Sequence, residues 1–263
     1  MSEGGATAVA SGVAAGSGTT AGTPELSVVV PVFNERDNIA PLVAETVHAL
    51  RGLIPFEIVY VDDCSNDDSF AVLTALMAST PELRVLRHVR QSGQSSAIRS
   101  GVKAARGAWI ATLDGDGQND PADIPKLLSA RAQADVSLKL FAGWRVQRRD
   151  SGSKRWASKI ANAIRSRLLH DETPDTGCGI KLFERAAFLD LPYFDHMHRY
   201  LPALIKRAGW QCVSVPVNHR ERATGVSKYN NLNRAWVGLA DLRGVGWLIR
   251  RSKVTVAVEA TRA

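Results

Sequence analysis

The residues of this chain that are best suited to chemistry are two carboxylates one residue apart, Asp114 and Asp116, which directly follow an apolar run. Glycines at 115 and 117 flank the second carboxylate and allow the backbone to turn tightly and to approach a ligand closely. Such a turn can bring both carboxylates onto one hard cation. Mg²⁺ or Mn²⁺ takes one or two carboxylates and fills its other positions with water and phosphate oxygens. The pair therefore indicates half of a metal–diphosphate site, with a plain acidic turn as the alternative.

Three other polar clusters follow apolar runs in the same manner. Together with the acidic pair, the clusters are Asn34-Glu35, Asp62-Asp63, Gln91 to Ser96 and Asp114 to Asp116. In open α/β sheets, ligands bind outside the carboxyl ends of the strands. A shared ligand site at one sheet edge therefore explains the four clusters better than four unrelated turns.

The elements that must position these clusters are predicted β-strands. Short, largely apolar runs predict strands at residues 26–32, 56–61, 83–89, 109–113 and 136–142. Helical patterns follow the first four, and Pro121 suits the first turn of the fourth helix. Strands that alternate with helices predict an α/β fold with a parallel sheet and right-handed crossovers.

Charge is spread unevenly along a chain of otherwise ordinary globular composition. The 263 residues are 45% hydrophobic and 22% charged, with a formal net charge of +7. Residues 1–138 are acidic on balance, whereas 139–170 and 220–263 are basic. This asymmetry indicates a metal site that faces an anionic partner, either phosphate, nucleic acid or an anionic membrane surface. P-loop and dinucleotide-binding glycine motifs are absent, so a metal and basic side chains are expected to hold the phosphate.

Features of the chain outside these clusters favour a cytosolic protein. Residues 1–24 are small and polar, which predicts a disordered tail. The sequence shows neither a signal peptide nor a membrane span, since Asp241 and Arg243 interrupt the single apolar candidate. Its three cysteines have no metal-ligand or redox spacing and are expected to be reduced thiols.

Several segments resemble the family 2, GT-A-fold inverting glycosyltransferases, and in particular the polyprenol-phosphate branch that includes dolichol-phosphate mannosyltransferase and bacterial undecaprenyl-phosphate enzymes. The segments are Pro31 to Asn38, Val61 to Ser65, Asp114 to Pro121, Gly143 to Arg145, Asp175 to Cys178, His198 to Pro202 and His219 to Tyr229. The resemblance covers about residues 26–251. It implies a GT-A nucleotide-diphospho-sugar transferase fold with a mostly parallel central sheet flanked by helices. The expected domains are a disordered tail at 1–24, a GT-A domain at 25–230, and a C-terminal amphipathic, interfacial helix with a tail at 231–263.

The resemblance also implies a donor site for a nucleotide-diphosphate sugar. Its residues would be Pro31, Phe33, Glu35, Asp63, Asp114, Gly115, Asp116, Gln118 and Arg145. Within that set, Asp63 would bind the base and Arg145 would face the diphosphate or the sugar. A divalent metal, Mg²⁺ or Mn²⁺, would be held by Asp114, Asp116 and Gln118.

This sequence departs from the usual family pattern at three donor-site positions. Phe33 stands where the family usually has Tyr, Cys64 where Gly is common, and Gly115 where Ala is common. None of these changes removes a metal ligand.

A second, basic set of residues is implied for the phosphate of the acceptor. Its members would be Arg155, Ser158, Arg220, Arg222, Ser227 and Lys228. Catalysis would depend on Asp116, Arg222 and Lys228. A lipid phosphate is already an anion near neutral pH, so a strong general base is not required, and the sequence offers no Ser-His-Asp arrangement.

Two basic stretches could contact a membrane. Lys154 to Leu168 has basic residues beside apolar ones at helical spacing, which indicates either a solvated face over a core stripe or an interfacial helix on anionic lipid. Trp236 to Lys253 makes the interfacial case more strongly, because Trp beside basic residues is typical of membrane interfaces. Its alternatives are a terminal helix docked on the sheet and a face that pairs with a separate small membrane subunit.

The sequence therefore predicts an inverting glycosyltransferase that moves a hexose to a polyprenyl (dolichyl or undecaprenyl) phosphate. The donor would be GDP-mannose by default or a UDP-sugar, and the enzyme would be peripheral on the inner face of the cytoplasmic membrane. One alternative is a family 2 transferase with a soluble or glycan acceptor. A nucleic-acid-binding protein is a distant one, since no aromatic stacking platform or recognisable motif accompanies the basic blocks. A nucleotidylyltransferase would need a Gly-rich basic loop after the first strand, and this chain has none there.

Overall fold

A computed structural model of the protein describes residues 23–146, 165–169, 171, 173–218, 220 and 231–255, without the side chains of 231–237. Its strands are β1 Leu26–Val32, β2 Phe56–Asp62, β3 Leu83–Arg87, β4 Trp109–Thr112, β5 Leu138–Arg145, β6 Lys181–Glu184 and β7 Gln211–Val217. Its helices are α1 Arg36–Leu50, α2 Ser69–Met77, α3 Gln94–Ala104, α4 Ile124–Ala132, α5 Arg185–Leu189, α6 Leu201–Arg207 and α7 Asn231–Arg250. Short 3₁₀ turns lie at Pro121–Asp123 and Met197–Arg199, and residues 165–169 are helical.

One mixed sheet organises these elements, in the order β3-β2-β1-β4-β6-β5-β7. Strand β1 pairs in parallel with β2 and β4, β2 with β3, and β5 with β7. Strand β6 runs antiparallel to both β4 and β5. The predicted mostly parallel α/β sheet is confirmed, while β6 and β7 are additions that the sequence did not predict. The fifth predicted strand runs on to Arg145, because its last residues pair with β7.

The sheet is covered on both faces because its central strands are apolar throughout. All seven residues of β1 are buried. Successive side chains of a strand point to opposite faces. Val28 and Val30 accordingly belong to the core cluster that contains Ile39 and Leu42 of α1, whereas Val29 belongs to the cluster that contains Ile98 of α3. This two-sided packing fixes β1 and β4 rigidly and so fixes the loops at their carboxyl ends.

Helix α7 is docked on the domain. Val245 is buried in the core, and Arg207 Nε of α6 donates to the Leu248 carbonyl at 2.9 Å. On the opposite face Leu239 and Trp247 are 41% and 56% exposed, close to the exposed Arg243. The docked-helix alternative therefore holds for one face, and the interfacial role stays a prediction for the other. In the described ranges, every helix is too short or too polar to cross a membrane.

The short helical segment 165–169 departs from its predicted pattern. Arg165, predicted on the basic face, is 8% exposed, and its Nε lies 3.3 Å from Asp171 Oδ2. Leu168, predicted in the apolar stripe, is 55% exposed, whereas Leu169 is buried. The predicted pattern was wrong here, because Leu169 is buried in place of Leu168 and Arg165 points inward to pair with the buried Asp171. Residues 154–164 of the same stretch lie outside the described residues.

Candidate active site

The loops after β1 and β2 are tied together at the carboxyl edge of the sheet. The backbone N–H of Asn34 donates to Ser65 Oγ at 2.9 Å, and the N–H of Asn66 returns a bond to Asn34 Oδ1 at 2.9 Å. The N–H of Glu35 donates to Ser69 Oγ at 3.0 Å. Two of the polar clusters identified in the sequence therefore form a single surface.

Cys64 occupies a strained backbone position in this surface. Its φ of 65° lies in the left-handed region, which costs an L-residue about 1–2 kcal/mol. Glycine adopts this conformation without strain, in keeping with the glycine common at this position in the family that the sequence resembles. The neighbouring Asp62 supports the turn, since its Oδ1 accepts from the N–H of Ser65 at 3.2 Å and its Oδ2 lies 3.2 Å from Arg87 Nε.

Asp63 holds the loop that follows β3. Its carboxylate accepts from the backbone N–H groups of Ser92 at 2.9 Å and Gly93 at 2.8 Å, and it lies 2.7 Å from His88 Nδ1. Gly93 has a φ of 86°, a conformation that favours glycine. The structure thus brings the third polar cluster to the same edge. The predicted contact between Asp63 and a base stays a prediction.

The acidic turn after β4 is closed by its own hydrogen bonds. The N–H of Asp114 donates to Asn119 Oδ1 at 2.8 Å, and the N–H of Gln118 donates to Asp116 Oδ1 at 3.1 Å. Gln94 Nε2 of α3 donates to Asp114 Oδ1 at 2.8 Å. The turn therefore folds the chain back so that the two carboxylates are not spread along an extended strand.

Two glycines let the backbone pack closely against this turn. A methyl group on Gly115 would lie 2.5 Å from Val32 Cγ1 and 2.9 Å from the Pro31 carbonyl oxygen, so the alanine common in the family has no room here. A methyl group on Gly179, in the loop before β6, would collide with the Asp114 carboxylate. Sequence reasoning missed Gly179, although Gly177 and Gly179 one residue apart were the available signal.

The electrostatics of the turn suit a divalent cation. Burial and the neighbouring Asp116 raise the pKa of Asp114, against the lowering effect of Lys181 and Arg145. A cation would relieve this repulsion, and the two carboxylates supply hard oxygen donors. The predicted contact between the Gln118 side chain and a metal stays a prediction. The described residues contain no group of three or more His, Cys, Asp or Glu side chains placed to hold a metal ion. Two carboxylates suit Mg²⁺ or Mn²⁺, which takes one or two carboxylates and fills its remaining positions with water and phosphate oxygens.

A cavity of about 180 Å³ lies beside Asp114. Its lining residues are Gln94, Ile98, Thr112, Leu113, Asp114, Thr176, Gly177, Cys178, Gly179, Lys181, His198, Arg199 and Leu201. Lys181 is 4% exposed, and its Nζ donates to the Cys178 carbonyl. Burial lowers the pKa of Lys181. Lys181 went unnoticed in the sequence because β6, the short strand that carries it, had no predictive pattern.

His198 is a neutral group in the same cavity. Its Nδ1 lies 2.7 Å from Ser95 Oγ of α3. Burial, with the charges of Lys181, Arg199 and His196, lowers the pKa of His198 well below its ordinary value. The imidazole is therefore uncharged at neutral pH and can exchange a hydrogen bond with a ligand.

Arg145 is held at the site by Asp175. Its Nε donates to Asp175 Oδ2 at 2.7 Å and its Nη2 donates to Asp175 Oδ1 at 2.9 Å. This bidentate pair fixes the guanidinium plane. The charge of Arg145 also acts on Asp114, which places it near the acidic turn. A contact between Arg145 and diphosphate or sugar stays a prediction.

Arg220 joins the acidic turn to the segment that follows β7. Its backbone N–H donates to the Gln118 carbonyl at 3.2 Å, and its guanidinium lies 2.6 Å from Glu45 Oε2 and 2.7 Å from Asp120 Oδ1. Arg220 was predicted to bind the acceptor phosphate, yet here it already has two carboxylate partners. These bonds tie Arg220 to α1 and to the acidic turn, and its contact with an acceptor phosphate stays a prediction.

The other predicted site residues divide into two groups. Pro31 is buried in β1, Phe33 is partly exposed in the following loop, and Glu35 Oε2 accepts from Asn38 Nδ2 at 2.8 Å. The remaining acceptor-phosphate residues, Arg155, Ser158, Arg222, Ser227 and Lys228, lie outside the described residues. The predicted donor-site residues therefore lie in described parts of the chain, and their contacts with a nucleotide sugar stay a prediction. Of the predicted acceptor-site residues, Arg220 alone lies within the described residues.

Comparison with known proteins identifies a matching family and similar proteins. Residues 27–191 match the family described as "Glycosyl transferase family 2". A dodecaprenyl-phosphate galacturonate synthase of Rhizobium johnstonii is 34% identical over 238 residues, which cover 86% of this chain and 68% of that protein. An undecaprenyl-phosphate 4-deoxy-4-formamido-L-arabinose transferase of Sodalis glossinidius is 34% identical over 209 residues, which cover 78% of this chain and 63% of that protein. The chain thus spans about two thirds of the length of these relatives.

Solved structures share the fold at low sequence identity. Glucosyl-3-phosphoglycerate synthase of Mycobacterium tuberculosis, in complex with Mn²⁺, UDP and glucosyl-3-phosphoglycerate, has a TM-score of 0.65 and 17% identity over 89% of this chain and 82% of that chain. A mannosyltransferase of Pyrobaculum calidifontis, in complex with GDP-mannose and Mn²⁺, has a TM-score of 0.63 and 19% identity over 88% of this chain and 66% of that chain. These two likenesses establish the architecture of the domain.

Proposed function

The chain belongs to glycosyl transferase family 2, and we propose that it transfers a sugar from a nucleotide-diphosphate sugar to the phosphate of a polyprenyl lipid. The observation that carries the proposal is the closed Asp114–Asp116 turn at the carboxyl edge of the sheet, with a sugar-sized cavity beside it. Both relatives named above are transferases or synthases of polyprenyl-phosphate sugars, which supports a lipid phosphate over a soluble acceptor.

In this proposal the acidic turn receives the leaving diphosphate. Asp114, Asp116 and Gln118 would hold Mg²⁺ or Mn²⁺, and both solved structures named above contain Mn²⁺ with a nucleotide. When bound, the metal supplies Lewis-acid charge that stabilises the departing diphosphate. Gln94 orients the Asp114 carboxylate through its 2.8 Å hydrogen bond. Gly179 leaves space for that carboxylate on its other side.

The acceptor phosphate oxygen attacks the anomeric carbon while the bond from that carbon to the diphosphate oxygen breaks, with inversion. The nucleophile is already anionic, so the protein needs to overcome repulsion between two anions and has no need of a strong base. Arg222 and Lys228 are proposed to bind the acceptor phosphate, with Arg155, Ser158 and Ser227 beside them. Arg220 would fix the start of that segment to the acidic turn through its bond to Gln118.

The relatives change the expected sugar. Mannose was the default from the sequence, but the names of the two relatives give galacturonate and 4-deoxy-4-formamido-L-arabinose. We therefore propose one of these two sugar classes in place of mannose, and we take uridine diphosphate sugars as the first donors to test.

The enzyme is proposed to work at the inner face of the cytoplasmic membrane. Its acceptor would be a membrane lipid, and the exposed side of α7 combines Leu239 and Trp247 with Arg243 and Arg250. Aromatic and basic side chains together suit the surface of an anionic bilayer. Attachment through a separate small membrane subunit stays an alternative prediction.

A lipid-transfer assay tests the proposed function. Labelled UDP-sugars are incubated with polyprenyl phosphate and Mn²⁺, and the products are extracted into butanol. The wild type should form labelled lipid, and both chelation of the metal and Asp116→Ala should abolish it. Asp135→Asn is a matched control, because Asp135 lies in the turn before β5, at the opposite end of the sheet. Label that enters only water-soluble products would favour the soluble-acceptor alternative.

A further inference from the structure

The cavity beside Asp114 has a cationic wall made by Lys181 and Arg199, with His198 between them in the sequence. Lys181 is 4% exposed, and the atom that its Nζ contacts is the neutral Cys178 carbonyl oxygen. Both cations act on the imidazole of His198 and, with burial, lower its pKa. The wall therefore holds two positive charges and one neutral hydrogen-bonding ring.

Neither cation forms an ion pair with a carboxylate of the described residues. Three other cationic side chains of low exposure are paired with carboxylates at short range, whereas Arg185 and Arg207 donate to backbone carbonyls. Arg84, Arg145 and Arg165 lie 2.5, 2.7 and 3.3 Å from Glu57, Asp175 and Asp171 respectively. Taking a cation out of water without an anionic partner is unfavourable, so a wall of this kind is suited to an anionic group of a ligand.

The size of the cavity restricts that ligand. A volume of about 180 Å³ is below the roughly 300–1,000 Å³ typical of sites for drug-sized molecules. One sugar ring fits, whereas a nucleoside diphosphate does not. Asp114, the proposed metal ligand at the diphosphate, lines the same cavity. The group next to the diphosphate in a nucleotide sugar is the sugar itself.

We propose that the transferred sugar is a hexuronate whose carboxylate is bound by Arg199 and Lys181, and that Arg199 determines this specificity. The inference rests on the proposed function and selects between its two sugar classes. Asp114 and Asp175 act on Lys181 only from beyond ion-pair distance, and a neutral formamido sugar would add no anionic group for either cation. His198, which is uncharged at neutral pH, can exchange a hydrogen bond with a ring hydroxyl.

A matched pair of donors tests the inference. UDP-galacturonate and UDP-galactose differ only in a carboxylate or a hydroxymethyl group on the sugar. Binding of each donor with Mn²⁺ is measured by calorimetry, and transfer to polyprenyl phosphate is measured alongside. Because hydrogen bonds to charged groups are worth more than neutral ones, the wild type should favour the uronate by about 10- to 100-fold. Arg199→Gln should lower the ratio several-fold, with the remainder supplied by Lys181, and Arg199→Lys should restore most of it, while Lys103→Gln, on the exposed side of α3, should leave it unchanged.

The outcomes separate the inference from the proposed function. Equal binding of both donors to the wild type overturns the inference, and this result depends on no variant. An Arg199→Gln variant that weakens both donors equally also overturns it, because Arg199 would then act on a phosphate. A uronate preference in binding without lipid-linked product supports the inference and refutes the proposed function. Lipid-linked product formed equally from both donors supports the proposed function and refutes the inference.

Discussion

Replacing Gly179 with alanine tests whether the loop before β6 positions the acidic turn. A methyl group at this position would lie 2.5 Å from Asn119 Oδ1 and would overlap the Asp114 carboxylate. Ordinary contact begins at 3.4 Å, so the Asn119 oxygen has to move by about 0.9 Å. The Gly179 backbone is poorly able to retreat, because its carbonyl accepts a 2.7 Å hydrogen bond from Thr112 Oγ1.

Movement of Asn119 carries Asp114 with it, since Asn119 Oδ1 accepts from the Asp114 N–H at 2.8 Å. A misplacement of about 1 Å at a catalytic centre can lower the rate by about 100-fold. We therefore expect Gly179→Ala to reduce kcat of sugar transfer by about 100-fold. Overpacking of this kind should also lower the free energy of unfolding by about 1–3 kcal/mol.

Gly177→Ala is the matched comparison, two residues earlier in the same loop. A methyl group there would meet Arg145 Nη2 at 3.3 Å and Asp175 Oδ1 at 3.6 Å, so only a slight adjustment is needed. Both variants are assayed for transfer at saturating Mn²⁺ and for unfolding in urea. The reasoning is refuted if Gly179→Ala is as active as Gly177→Ala, or if its loss of activity matches only its unfolded fraction.

Three further predictions concern stability and Arg220. Cys64→Gly should raise the free energy of unfolding by roughly 0.5–1 kcal/mol in urea, because relief of the left-handed strain exceeds the added chain entropy, while Cys64→Ala should give no gain. The lowered pKa of His198, which faces Lys181, Arg199 and His196, means that the unfolded chain binds a proton first as pH falls below about 6.5. Stability should then drop between pH 7.5 and 5.5 by up to about 1.4 kcal/mol, the limit for one proton, and His198→Gln should lack this drop; parallel curves would contradict it. Arg220→Met should lower the free energy of unfolding by only about 0.2–1 kcal/mol, because the ion pairs of Arg220 are partly exposed. The same variant should raise the KM for polyprenyl phosphate, and Arg220→Lys should have an intermediate effect. An unchanged KM would show that Arg220 does not position the acceptor.

The first half of the fold followed from local pattern. Strands β1, β2 and β4 are nearly continuous apolar runs, and the polar residues after them could be placed at one sheet edge because parallel strands share that edge. Asp114 and Asp116 were identified in this way, and the structure shows that their turn is closed by its own hydrogen bonds, whereas its role as a ligand site stays a prediction.

The second half depended on long-range pairing that local pattern does not encode. Strand β6 has four residues and runs antiparallel between β4 and β5, which brings Gly179 and Lys181 beside Asp114 from more than sixty positions away. A buried lysine in so short a strand carries no periodic signal. For Arg220, the family resemblance implied a phosphate ligand, which stays a prediction, whereas its partners Glu45 and Asp120 become neighbours only in the folded chain.

The most direct test of the central claim is whether nucleotide binding at the acidic turn depends on a metal. Calorimetry of UDP with the wild type and with Asp116→Asn, each with and without Mn²⁺, measures this dependence without any acceptor. The wild type should bind UDP much more tightly when Mn²⁺ is present, and Asp116→Asn should lose that gain. Equal affinity of the wild type with and without Mn²⁺, or an Asp116→Asn variant that keeps the full gain, would contradict the metal–diphosphate site.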